Sequence, residues 1–184
     1  LTTGFDVSTA SYDSVSFDMS SEDGAPTGLA FNSDGTKMFM TGFDSDSIYQ
    51  YTLTTGFDVS TASYDSVSFS VSSEDTSPTG LVFNSDGTKM FVIGANSGSM
   101  HQYTLSTGFD VSTASYDSVS FNVSSQEGSP QGLAFNSDGT KMFVIGYSSD
   151  SVHQYTLSTG FDLSTASYDS VSFDVSSEDN IPTG

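Results

Sequence analysis

The stretch LTTGFDVSTASYDSVSF at Leu1 starts again, nearly letter for letter, at Leu53, Leu105 and Leu157, a step of 52 residues. Internal landmarks keep that step without insertion or deletion: Asp34, Asp86 and Asp138, and Lys37, Lys89 and Lys141. Such a chain solves one packing problem several times, and a fixed period near fifty residues leaves a solenoid, a propeller or a linear array. Helical repeats are excluded by the Ser, Gly and β-branched content and by the lack of any stretch at 3.6-residue periodicity. Fifteen Phe and nine Tyr, with no Trp and no Cys, suit many short strands instead.

Each unit reads as four strands. In GLVFNSDGTKMFVIG, two apolar runs, Leu81 to Phe83 and Met90 to Ile93, flank Ser85-Asp86-Gly87-Thr88. Asp-Gly between such runs signals a hairpin, because a tight turn needs positive φ and Gly accepts it without strain. SGSMHQYTL supplies a third strand, with His101 and Tyr103 on one side and Met100 and Gln102 on the other. After the link STGFDVSTASY, the fourth strand begins at Asp117, and Val119, Phe121 and Val123 alternate with Ser118, Ser120 and Asn122, leaving one face wet. The second strand is apolar on both faces and is expected to be central. The single Lys of each unit, next to the Asp of the hairpin, is expected to pair locally at the surface and to contribute little.

A four-stranded meander with a buried middle and a half-exposed last strand is a β-propeller blade. A β-solenoid is the competitor, but its coils are usually shorter and lack a defined Asp-Gly hairpin. The fold class is therefore all-β, a propeller segment of three complete blades plus an orphan outer strand. The expected divisions are a partial blade at 1–25, blades at 26–77 and 78–129, and a blade with the start of the next at 130–184. PTGLVFNSDGTKMFVIG followed by SMHQYTL resembles the propeller repeats of the YVTN and TolB-like families. The chain departs from them with Asn84-Ser85 where Ser-Pro is frequent and with a longer link before the last strand. The FDVSTASY form also resembles highly repetitive propellers of environmental microbes and their phages. These resemblances imply a fold and name no activity.

Three blades and an orphan strand do not close a ring of the usual four or more blades. Either the chain is part of a longer frame, or copies meet as a homo-oligomer to complete the ring. A net charge of −20, from 23 acidic residues against three Lys and no Arg, argues against nucleic acid and anionic membranes as partners. No apolar run reaches the length of a membrane span, so no membrane insertion is expected.

The units differ in two places, the link into each blade (residues 22–27, 74–79, 126–131) and the tip between second and third strands (43–49, 95–101, 147–153). Both belong on one face of a propeller, and variable loops on a rigid scaffold carry binding. The candidate ligand residues are Phe43, Asp44, Asp46, Tyr49, Asn96, His101, Tyr147, Asp150 and His153. His101 and His153 share a repeat position with Tyr49, which suits packing better than catalysis. No phosphate loop, Gly-x-Ser-x-Gly elbow or zinc-ligand cluster is present. No cofactor is expected, with Ca²⁺ the one candidate on the hard oxygens of Glu22, Asp23, Asp44, Asp46, Glu74 and Asp75. The expected function is a non-enzymatic binding or adhesion module for a protein or glycan ligand, at an extracellular or virion surface. The alternatives are a structural spacer and part of an enzyme whose site lies in other blades.

Overall fold

The computed structural model describes residues 6–184, so the first five residues of the partial blade lie outside the described residues. Each apolar run becomes a strand of a meander. β1 (Pro26–Phe31), β2 (Lys37–Gly42), β3 (Ser47–Leu53) and β4 (Ala62–Ser70) form the first sheet. β5 (Pro78–Phe83), β6 (Lys89–Gly94), β7 (Ser99–Leu105) and β8 (Ala114–Asn122) form the second. β9 (Pro130–Phe135), β10 (Lys141–Gly146), β11 (Ser151–Leu157) and β12 (Ala166–Asp174) form the third. All neighbours within a sheet are antiparallel and consecutive in the chain, giving three blades of a β-propeller.

The blades stack face to face through apolar cores. The forward face of the first blade brings Phe39 and Ile48 against Leu81, Met90, Val92 and Tyr103 of the second. The second meets the third in the same way, Phe91 and Met100 against Met142, Val144, Tyr155 and Leu157. Phe39 packs on Phe83 with ring centroids 4.5 Å apart, and Phe91 on Phe135 at 4.8 Å. The inner strands are tied directly: Thr27 Oγ1 donates to the Pro78 carbonyl at 3.1 Å and Thr79 Oγ1 to that of Pro130 at 3.0 Å. On the rear face of the first blade, Phe17 and Met19 cover Met38, Met40, Tyr51 and Leu53.

The structure bears out the hairpin and corrects the start and the register of the last strand. The hairpin has its expected positive φ at Gly87, with five residues separating β5 from β6 and the Asp86 carboxylate accepting from Thr88 N and Oγ1. The last strand begins at Ala114, three residues before Asp117, after a short 3-10 turn at Val111–Thr113. It then bulges: Tyr116 pairs with Tyr103 and Val119 with Gln102, so Asp117 and Ser118 stand outside the ladder, Ser118 at φ 58.

The bulge also corrects the pairing of the lysine. Lys89 Nζ does not bind the hairpin's Asp86; it reaches Asp117 at 2.7 Å, where Gln102 Nε2 and Thr104 Oγ1 also donate, at 2.8 and 2.6 Å. Lys37–Asp65 and Lys141–Asp169 repeat the pair. The other end of the glutamine reaches the next blade: Gln50 Oε1 accepts from Val111 N at 3.0 Å and Gln102 Oε1 from Leu163 N at 2.9 Å.

Gly87 answers two demands at once. Its φ of +73 is left-handed, and a Cβ there would lie inside the ring of Phe109, whose N–H donates to the Gly87 carbonyl at 3.1 Å. Gly87→Ala is expected to destabilise the protein by about 1–3 kcal/mol through the strained conformation. Ser85→Ala, exposed in the same turn, is expected to stay within about 0.5 kcal/mol. Urea midpoints of the two variants check this.

Candidate functional site

The links into the blades and the second-to-third-strand tips meet on one face because a buried carboxylate from each link caps the adjoining tip. Asp23 accepts from Ala25 N at 2.8 Å within the link and, across the gap, from Ser45 N at 3.0 Å and Ser45 Oγ at 2.6 Å. Asp75 repeats this with Ser77 N and Ser97 N at 2.7 and 2.9 Å. In the third blade the acid is Glu127, which accepts from Ser129 N, Ser148 N, Ser149 N and Ser149 Oγ at 2.6–3.0 Å. All three acids are buried. Room for them comes from glycine at the end of the second strand, since a Cβ on Gly42, Gly94 or Gly146 would strike Asp23, Asp75 or Glu127. Burial opposes charge on Asp23 and Glu127, yet the converging donors hold both below the ordinary carboxylate range.

Behind these caps lie the two histidines. His101 Nε2 is 3.2 Å from Ser97 Oγ, and His153 Nε2 is 2.9 Å from Ser149 Oγ. Ser149 has one hydroxyl proton and donates it to Glu127, so the imidazole Nε2–H must donate to Oγ. In a hydrolytic triad the imidazole stands between carboxylate and hydroxyl. Here the hydroxyl stands between them and gives its proton to the carboxylate rather than to the imidazole, an order that locks the tip. Both imidazoles are buried, and Nδ1 of each is buried without a hydrogen-bond partner. Burial therefore lowers both pKa values, against the opposing pull of Asp75 and Glu74 on His101 and of Glu127 on His153.

The remaining candidates divide by exposure. Phe43 and Tyr147 stand out on the tips at 40% and 44% exposed, with Ala95 at the equivalent place between them. Asp44 and Asn96, one residue on, are exposed too, and Tyr49 is half-buried. Asp46 and Asp150 are half-buried at φ 52 and 49, where the second blade has Gly98 at φ 59. They are turn formers, since Asp is among the residues that tolerate this conformation.

The calcium candidates do not converge: among the described residues no group of three or more acidic or histidine side chains could hold a metal ion. Glu22 and Glu74 accept from the buried Tyr51 and Tyr103 hydroxyls at 3.2 and 3.3 Å. Gln126 replaces this acid in the third unit, and the Tyr155 hydroxyl is buried without a partner. Sequence reading missed the caps because adjacent acids such as Glu74-Asp75 look like a solvated pair. The available signal was the glycine ending each second strand.

No family model matches the chain, and no curated protein is similar to it in sequence. Solved structures are similar in fold. One is a functionally unknown protein from Desulfotomaculum acetoxidans, with TM-score 0.57 and 15% identity over 81% of this chain and 42% of that one. Another is the periplasmic gluconolactonase of Pseudomonas aeruginosa, with TM-score 0.55 and 16% identity over 86% of this chain and 41% of that one. The chain spans less than half the length of each of these structures. At these identities the likeness establishes the propeller fold and nothing finer.

The histidines make a pH prediction. The unfolded chain protonates at the ordinary imidazole pKa of about 6.5, whereas the folded protein keeps both rings neutral to lower pH. Stability is therefore full above about pH 7 and falls as pH drops through and below about 6.5, where the unfolded state binds more protons. The carboxylate donor networks are lost in a separate step below the usual carboxylate range, extending to about 2 at Asp169. His101→Tyr/His153→Tyr, which copies the Tyr49 position, is expected to flatten the first step and leave the second. Thermal melts from pH 8 to about 2 distinguish the two steps.

Proposed function

We propose that this chain is a non-enzymatic binding module that holds a glycan or protein surface on the face formed by its blade links and tips. The carrying observation is the exposure of Phe43 and Tyr147 on tips fixed from beneath by the buried Asp23 and Glu127. An aromatic ring held on a rigid frame offers contact area at little entropic cost. Sugar rings fit such rings through their apolar C–H faces, with Asp44 next to Phe43 and Ser148 next to Tyr147 in the chain as hydrogen-bonding groups and Asn96 at the equivalent place on the middle tip. The resemblance to YVTN and TolB-like repeats supports a scaffold role. No cation is assigned to the site. The gluconolactonase among the similar structures supplies the second reading, hydrolysis of a lactone.

Retention on a panel of immobilised oligosaccharides tests the first reading. Phe43→Ala/Tyr147→Ala is expected to weaken retention tenfold or more, as the loss of anchors worth about 1–2 kcal/mol each requires. The melting temperature should be unchanged, and added Ca²⁺ or chelator should have no effect. Equal retention of the variant, or none of the parent chain on any sugar, contradicts the glycan reading. Turnover of a gluconolactone above the uncatalysed rate would favour the second.

A further inference from the structure

Buried polar side-chain atoms without a hydrogen-bond partner are few among the described residues, and they are unevenly spread. Asp150 Oδ1, His153 Nδ1 and the Tyr155 hydroxyl, three of the five, belong to one short stretch, the end of the third tip and the strand it feeds. The equivalent places in the first blade are better served: the Tyr51 hydroxyl donates to Glu22 at 3.2 Å, and Tyr49 stands where His153 does. An unpaired polar group opposes its own burial, so the third tip has the most to gain from reaching water.

The imidazole makes that gain depend on pH. His153 lies beneath the tip at 6% exposed. Ser149 Oγ gives its one proton to Glu127 at 2.6 Å, so the ring carries its proton on Nε2 and donates to Oγ at 2.9 Å. Nδ1 is then a bare lone pair, and protonation turns it into a donor with no partner in place. Around the ring, β10 sets Val144 opposite His153 and β12 sets Ser172 there, while the ring of Tyr168 lies 6.0 Å away and Tyr155 follows two residues on. The link contributes Glu127, whose charge favours protonation against burial, but its oxygens already accept from Ser129, Ser148 and Ser149. Lys141 is held by Asp169 toward the hairpin end of the blade. The imidazolium thus finds an acceptor when water enters beneath the tip. The first tip lacks this device: Ser45 N and Oγ donate to Asp23, but with Tyr49 in place there is no imidazole to titrate.

We infer that the tip of the third blade is a pH-sensitive lid, in which protonation of His153 frees Ser148 and Ser149 from Glu127 and withdraws Tyr147 from the ligand face while Phe43 stays in place. The consequence for a ligand rests on the reading of that face as a binding site; the opening itself does not. A ligand held by two rings at neutral pH is held by one in acid. The ring of the open lid protonates near the ordinary imidazole value of about 6.5, and that of the closed lid at lower pH because burial opposes its charge. Between the two, the open population rises by up to about tenfold per pH unit as pH falls. The second tip, where Ser97 Oγ lies 3.2 Å from His101 Nε2, carries Ala95 and has no ring to withdraw.

Amide hydrogen exchange from about pH 7 to about pH 5 tests the lid, read as the ratio of the Ser149 rate to the Ser45 rate. The intrinsic pH dependence of exchange cancels in that ratio, and global opening moves both amides together. In the parent chain the ratio is expected to rise below about pH 6.5 by up to about tenfold per unit. It is expected to stay level in His153→Gln, which keeps a donor for Ser149 Oγ and does not titrate, and in His153→Tyr, which copies the first blade. A level ratio in the parent overturns the inference, as does a ratio that rises equally in either folded variant. Retention on the oligosaccharide panel at about pH 7 and about pH 5.5 separates the lid from the ligand. The parent is expected to weaken severalfold in acid, toward the level of Tyr147→Ala, and His153→Gln is not. A rising ratio with no retention at either pH supports the lid and contradicts the glycan reading, whereas a rising ratio with undiminished retention overturns the withdrawal of Tyr147.

Discussion

The fold depends on a half-buried carboxylate that gathers donors within each blade. Asp117, pushed out of the ladder by the bulge of β8, collects Lys89, Gln102 and Thr104 at 2.6–2.8 Å. Burial opposes its charge, but these donors keep it below the ordinary range. Hydrogen bonds to charged groups contribute about 1.5–3 kcal/mol each, discounted here by the solvent that reaches Lys89 and Asp117. The arrangement fixes the rotamer of Gln102, and that in turn aims Oε1 at Leu163 N of the following blade. A local bulge is thereby converted into register between blades.

The two ends of the blades are stabilised differently, and this explains where sequence variation is found. At the hairpin end, Gly87 must be glycine to admit Phe109, and the 3-10 turn carrying Val111 must stay in register to reach Gln50. At the tip end, only the carboxylate, the receiving serine and the glycine that makes room for them are bound by the clamp. Asp75 and Glu127 do the same work with side chains of different length. The outermost tip residue is free to be Phe43, Ala95 or Tyr147 without disturbing what lies beneath.

Much of this architecture was legible in the repeat. The 52-residue step, the Asp-Gly hairpin and the alternation of Val119 and Phe121 with serines led to four strands per unit and to blades, and the sheets have that order. The bulge was missed although Tyr116-Asp117-Ser118-Val119 interrupts the apolar-polar alternation with two successive polar residues, because a strand read as starting at Asp117 counts both of them within the ladder. The pairing of Lys89 was misjudged for the same reason: its partner lies 28 residues away and becomes a neighbour only when β7 and β8 pair in the bulged register. The tips were placed beside the links and His101 and His153 were read as packing residues, but burial of the link acids depends on how links fold under tips. The one trace of it in the sequence is the glycine that ends each second strand.

Backbone hydrogen exchange tests the central claim that the Asp-anchored glutamine couples one blade to the next. Val111 and Leu163 sit in short 3-10 turns at the edge of their blades, where amides ordinarily exchange quickly. If Gln50 and Gln102 hold them, both amides are expected to exchange as slowly as the central-strand amides of Phe91 and Val144, and Gln102→Leu is expected to release Leu163 while leaving Val111 protected. Exchange of Val111 and Leu163 at the rate of the neighbouring exposed Ser112 and Ser164, or retained protection of Leu163 in the Gln102→Leu variant, would contradict it.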